Sequence, residues 1–80
     1  MRLPRDVTGR RLAGSLARLG FAIDRQTGSH IRLTTRRGGE HHLTVPDHDP
    51  LRPGTLSAIL REVGAHAKLP REELLRLLFA

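Results

Sequence analysis

The stretch that most limits what this chain can fold into is a pair of alternating runs around Arg36-Arg37-Gly38-Gly39. From Ser29 to Thr35, Ile31 and Leu33 fall on one side of an extended backbone, with His30, Arg32 and Thr34 on the other. From Glu40 to Val45, His41, Leu43 and Val45 face one way, and Glu40, His42 and Thr44 the other. Side chains alternate along a strand, so each run has one largely apolar and one polar face. The glycine pair supplies the backbone freedom that a hairpin turn needs. Pro46 has no N–H for a sheet ladder and ends the second run. An isolated hairpin is marginal in water, so the rest of the chain must cover its apolar face.

The flanking segments read as that cover. Thr8 suits a helix N-cap, and Val7 can pack on Leu12 as a hydrophobic staple. Leu12, Leu16 and Leu19 recur at helical spacing, with Ala13 and Ala17 beside them, and Gly20 suits the stop. Phe21 to Arg25 alternates and predicts a first strand, with Gln26-Thr27-Gly28 as the turn into the second. Asp47 to Pro50 reads as loop. Gly54-Thr55 reads as the cap of a second helix, with Leu56, Ile59, Leu60 and Val63 as its stripe and Gly64 as its stop. Pro70 suits the first position of a last helix, Glu72 and Glu73 its positive dipole end, and Leu74, Leu75, Leu77 and Leu78 its apolar face. The order is α-β-β-β-α plus a short C-terminal helix. It predicts an α+β fold, a three-stranded antiparallel sheet with helices on one face. Phe21, Ile23, Ile31, Leu33, Leu43 and Val45 fall on the covered face. His30, Arg32 and His42 fall on the open one.

Eighty residues, 1–80, read as one domain with a small core. The formal net charge is +6, and a small, strongly basic domain suggests a polyanionic partner. Nearly all the positive charge is arginine, the side chain suited to bidentate phosphate contact. Phe21 and Phe79 are the only aromatics besides histidine, which removes the stacking platform of common single-strand binders. Zero cysteines exclude disulfides and thiolate metal sites and fit a cytoplasmic protein. The charged start, Met1 to Asp6, predicts no signal peptide, and no apolar run is long enough for a membrane span.

Gly28-Ser29-His30 opens the second strand, and an imidazole is the side chain that exchanges protons near neutral pH. This motif belongs to an ordered set: Gly20-Phe21, then Gly28-Ser29-His30, then Thr44-Val45-Pro46 with His48, then Gly54-Thr55-Leu56 and Ile59-Leu60. The set resembles the HicA-type (YcfA-like) toxins of bacterial toxin–antitoxin pairs over residues 7–78. The resemblance implies a fold like the double-stranded-RNA-binding domain and ribosome-independent cleavage of mRNA that stops translation. It implies that His30 is the histidine on which cleavage depends, with Gly28 and Ser29 as motif support. It also implies a HicB-type antitoxin as partner, expected to cover His30 and the basic face with acidic residues. Many relatives carry an aromatic soon after the histidine, where this chain has Ile31 and Leu33.

The residues suit that chemistry. RNA carries its own nucleophile, the 2′-hydroxyl, so cleavage needs a base, an acid for the leaving oxygen and positive charge at the phosphate, and no metal or cofactor. His30 is the candidate base. The acid is His30 in turn, a water or His42. Arg32, Arg36 and Arg37 are the expected phosphate contacts, with Arg5, Arg10 and Arg11 extending the patch. His41 and His42 are strand neighbours on opposite faces, and Asp47-His48-Asp49 lacks ligand spacing, so no metal site is expected. His48 orders its loop or touches RNA, and His66 reads as linker surface. The alternative is a non-catalytic double-stranded-RNA-binding module, but its second helix should start with a lysine cluster, and only Arg52 is near that start. A DNA-binding role ranks last, because no helix is basic with polar base-reading side chains.

Overall fold

The structure, a computed structural model, describes residues 3–79; Met1 and Arg2 of the N-terminal segment read above lie outside them. The elements are α1 (Gly9–Leu16), a 3-10 turn (Ala17–Leu19), β1 (Ala22–Thr27), β2 (His30–Thr35), β3 (His41–Pro46), α2 (Pro53–Ala67) and α3 (Arg71–Phe79). The strands form an antiparallel sheet in the order β1-β2-β3. The fold is α+β in the expected layout, with helices against one face of the sheet and the other face open. Ile31, Leu33, Leu43 and Val45 point into the core and meet Leu12, Leu16, Leu60 and Leu74 from the helices. No helix among the described residues is long and apolar enough to cross a membrane.

Helix α1 is short and depends on its ends. Thr8 Oγ1 accepts from the Arg11 N–H at 3.0 Å, and Val7 and Leu12 are both buried as the staple requires. At the far end Gly20 adopts φ 85 and its N–H returns to the Ala17 carbonyl. The first turn is pressed onto the end of β3. The Gly9 N–H donates to the His48 carbonyl at 2.9 Å, and a Cβ on Gly9 would stand 1.9 Å from the Pro46 carbonyl oxygen. Only glycine permits that approach.

Four sequence expectations are corrected. Ile23 is 53 % exposed, although it pairs with buried Leu33 and faces the helix side. β1 is an edge strand, and α1 packs under β2 and β3, so its cover stops short of Ile23. Gly64 does not stop α2, which runs on to Ala67 and is capped by Lys68 at φ 56. Gly64 instead leaves room for α3: a Cβ there would lie 3.4 Å from both the Leu69 carbonyl oxygen and Leu74 Cδ2. Gly54 and Thr55 lie inside the first turn of α2 rather than at its cap; Pro53 is the first helical residue and Arg52 the N-cap. In α3, Leu74, Leu75 and Leu78 are buried while Leu77 is 43 % exposed. At about 100° per residue Leu77 falls at the margin of the arc those three define. Pro70 stands just before that helix and its carbonyl accepts from Leu74 N–H.

The two glycines of α1 give a matched test. Gly14 is exposed with nothing near a built Cβ, so Gly14→Ala should stabilise by about 0.5–1 kcal/mol through helix propensity. Gly9→Ala should destabilise by about 1–3 kcal/mol, because the first turn must move off Pro46. Urea unfolding of both variants checks this; equal stabilisation would show that the close approach is not needed.

Candidate nucleic-acid interface

The open face of the sheet is set out by strand register. β1 runs to Thr27, which pairs with His30, so the turn between β1 and β2 is the two-residue loop Gly28-Ser29 rather than 26–28. Gly28 adopts φ 56, a left-handed conformation at the first loop position of a tight hairpin. The loop is anchored from β3: the Asp47 N–H donates to the Ser29 carbonyl at 2.7 Å. Behind it, on the helix side, Asp47 Oδ2 accepts from Gln26 Nε2 at 3.0 Å and Arg10 Nη2 at 3.2 Å, and the same Arg10 nitrogen donates to Gln26 Oε1 at 2.8 Å. Three polar side chains thus tie α1, β1 and the end of β3 together beneath the Gly28-Ser29 turn.

His30 stands on the open side of that turn. It is exposed, and its ring has no hydrogen-bond partner among the described residues. With Arg25, Thr27, Arg32 and Thr44 it lines a shallow depression of about 270 Å³. Sequence reading missed Arg25. Strict alternation from Phe21 would put it on the covered face, but the pairing slips by one residue between Ile23 and Arg25. This β-bulge places Asp24 and Arg25 on the open face together and turns Gln26 inward to the Asp47 cluster. The Thr34 hydroxyl donates to the Asp24 carboxylate and holds the bulge. The sequence signal was an arginine at an inward-facing parity.

The other expected phosphate contacts divide. Arg32 shares the depression with His30. Arg36 and Arg37 follow the opposite end of β2, and the six residue steps from His30 to Arg36 span about 20 Å of strand, so this turn is not beside His30. Arg36 is solvated, with Glu40 Oε1 at 4.0 Å. Arg37 folds back to donate to the Arg18 carbonyl at 3.3 Å, where it closes the end of the 3-10 turn. Arg10 belongs to the Asp47 cluster on the helix side, and Arg11 lies 5.6 Å from the Phe79 ring centroid as a cation–π contact. Arg5 is exposed in the segment before α1, near Pro50 and Leu51.

The remaining histidines are engaged elsewhere. His42 pairs with Thr34, four positions and about 14 Å from His30 along the sheet. Its Nδ1 lies 2.8 Å from Thr34 Oγ1 and its Nε2 3.2 Å from Glu40 Oε2. It is out of reach as the acid partner of His30. His41 faces the helix side, where its Nε2 meets Glu62 Oε2 at 2.8 Å and its ring stacks on His66 with centroids 4.6 Å apart. His66 is therefore not linker surface: it sits in the last turn of α2, with Nε2 3.0 Å from the Arg37 carbonyl. The His48 side chain is exposed, while its carbonyl takes the Gly9 N–H. Among the described residues no three His, Asp or Glu side chains converge as a metal site.

Residues 9–65 match the family model described as the HicA toxin of bacterial toxin–antitoxin systems. The chain belongs to the HicA toxin family. Comparisons with curated proteins and with solved structures return no match. The matched span runs from Gly9 through the sheet and nearly to the end of α2, and so includes the whole open face around His30. Membership makes the chain the toxin of a toxin–antitoxin pair and implies a cognate antitoxin as its partner.

At Gly28 nothing lies within 4 Å of a built Cβ, so its backbone angle alone should set the cost of substitution. Gly28→Ala should destabilise by about 1–2 kcal/mol, and Gly28→Asn by clearly less, since asparagine tolerates the left-handed region. Thermal unfolding of the two variants distinguishes this from a steric requirement, in which the larger asparagine would be the worse.

Proposed function

We propose that this HicA-family toxin is an endoribonuclease that cleaves mRNA without ribosome or metal, and that His30 is its general base. The observation that carries the reading is an exposed imidazole, free of protein partners among the described residues, in a depression lined by arginine and threonine. His30 takes the proton of the RNA 2′-hydroxyl. The 2′-oxygen attacks the adjacent phosphorus, a 2′-O–P bond forms, and the P–O5′ bond breaks. Arg32 supports the negative charge that gathers on the phosphoryl oxygens. The 5′-oxygen leaves with a proton from water, and the hydroxide so formed takes back the proton held by His30; no second imidazole or carboxylate lines the open depression. Arrest of translation follows from loss of intact messages.

The antitoxin is of HicB type in this reading and silences the toxin by covering His30 and its basic surroundings with acidic residues. The protein acts in the cytoplasm, where messages are. Residues 1–80 act as one toxin domain.

General acid–base help is worth about 10²–10⁴-fold, so His30→Ala should lower the rate of RNA cleavage by at least about 10²-fold. It should abolish growth arrest on induction and keep thermal stability close to wild type, because the side chain is exposed, and antitoxin binding should persist through the basic surroundings of the site. His42→Ala should cut RNA within about twofold of wild type, since His42 supports only the far end of the sheet. Cleavage undiminished in His30→Ala would overturn the assignment. A wild-type chain that binds duplex RNA without cutting any RNA would instead favour the non-catalytic module.

A further inference from the structure

We propose that Arg25 and Arg32 form a phosphate-binding pair beside His30, with Arg25 as a positioning residue that seats the RNA backbone; use of the pair on RNA rests on the cleavage reading above. The two arginines are direct cross-strand partners on the open face. Cβ atoms at such positions stand about 5 Å apart, and like charges so placed disfavour the fold. Neither has a hydrogen-bond or ion-pair partner among the described residues. Arg10, Arg18, Arg36 and Arg37 each have an oxygen partner, and Arg11 has the Phe79 ring. Arg5, Arg52, Arg61 and Arg71 are also without one among the described residues, but only Arg25 and Arg32 stand side by side across two strands and line one depression with His30.

The bulge at Asp24 exists at the cost of regular pairing, and its consequence is to bring Arg25 out of the covered face. Asp24 is hydrogen-bonded to Thr34, makes no ion pair with either arginine and does not line the depression. Two guanidinium groups then flank one shallow depression whose other walls are the Thr27 and Thr44 side chains and His30. An anion with oxygens facing both forks relieves the repulsion and accepts charge-assisted hydrogen bonds from each side. A phosphodiester offers two such oxygens, and its neighbour along the chain is the 2′-hydroxyl that His30 would deprotonate. The occupant argued for is therefore RNA phosphate rather than an acidic side chain of the antitoxin.

The test uses Arg25→Gln, Arg32→Gln and, as a control with the same charge change, Arg71→Gln at the start of α3. Thermal unfolding is followed in chloride and in inorganic phosphate at equal ionic strength. In chloride, Arg25→Gln should raise the midpoint by about 2–5 °C, because the cationic pair is gone. Wild type and Arg71→Gln should gain stability from phosphate, and Arg25→Gln and Arg32→Gln should not. A short unstructured RNA is then titrated in the His30→Ala background, so that binding is read without cleavage. Adding Arg25→Gln should weaken binding about tenfold and lower the slope of log K against log salt by about 0.7. A purely structural arginine would move neither the phosphate response nor the salt slope. If Arg25→Gln responds to phosphate and binds RNA as its parent does, the proposal is wrong. It is equally wrong if only antitoxin binding falls. If the phosphate response is lost but wild type cuts no RNA, the anion site stands and the cleavage reading fails.

Discussion

The backbone of Gly9 lies against the carbonyl of Pro46, and much of the functional end of the molecule hangs from that contact. It seats the first turn of α1 on the exit of β3. The adjoining Asp47 then reaches two ways. Its N–H holds the Ser29 carbonyl, and its carboxylate gathers Gln26 and Arg10. The hairpin that presents His30 is thus tied to α1, β1 and β3 at once. Exposed ion pairs such as Arg10–Asp47 contribute little singly, about 0–1 kcal/mol. Here the carboxylate is only partly exposed and shared between two donors, so the cluster fixes geometry more than it adds stability.

Charge is sorted along the open face. At the Gly28-Ser29 end stand Arg25 and Arg32 with no acid partner among the described residues. From Asp24, next to Arg25 in the bulge, a connected hydrogen-bonded row runs through Thr34 and His42 to Glu40 toward the other end. Positive charge without an ion-pair partner thus lies next to the exposed imidazole, and a mixed, hydrogen-bonded surface lies farther along the sheet. The net charge of +6 suggests a polyanion but not where it binds. Several arginines that contribute to that charge are engaged on the helix side, where Arg37 closes the 3-10 turn and Arg11 covers Phe79.

Periodicity made the layout legible because both hairpin strands are covered on one side only. Ile31, Leu33, Leu43 and Val45 sit where alternation puts them, and the Thr8 cap and Val7 staple follow local rules. What escaped was everything set by contact between distant segments. Ile23 has the right parity but lies beyond the edge of the helix layer. Gly64 is a good stop by type, yet its missing side chain serves the packing of Leu74 instead. Arg25 was hidden by a one-residue slip that pattern reading treats as continuous strand. Arg36 and Arg37 are close to His30 in sequence but a strand length away in space. Only the histidine and Arg32, which share a face by simple alternation, were brought together in the sequence as they are in the fold.

An imidazole acting on the RNA's own 2′-hydroxyl would leave a chemical signature on the cut ends. The most direct measurement is the chemistry of the ends left by purified chain on ribosome-free RNA in the presence of a strong chelator. Cleavage by His30 should leave a 2′,3′-cyclic phosphate on one fragment and a 5′-hydroxyl on the other, because the 2′-oxygen replaces the 5′-oxygen at phosphorus. Fragments ending in 3′-hydroxyl and 5′-phosphate, or cleavage that stops when metal is removed, would contradict it.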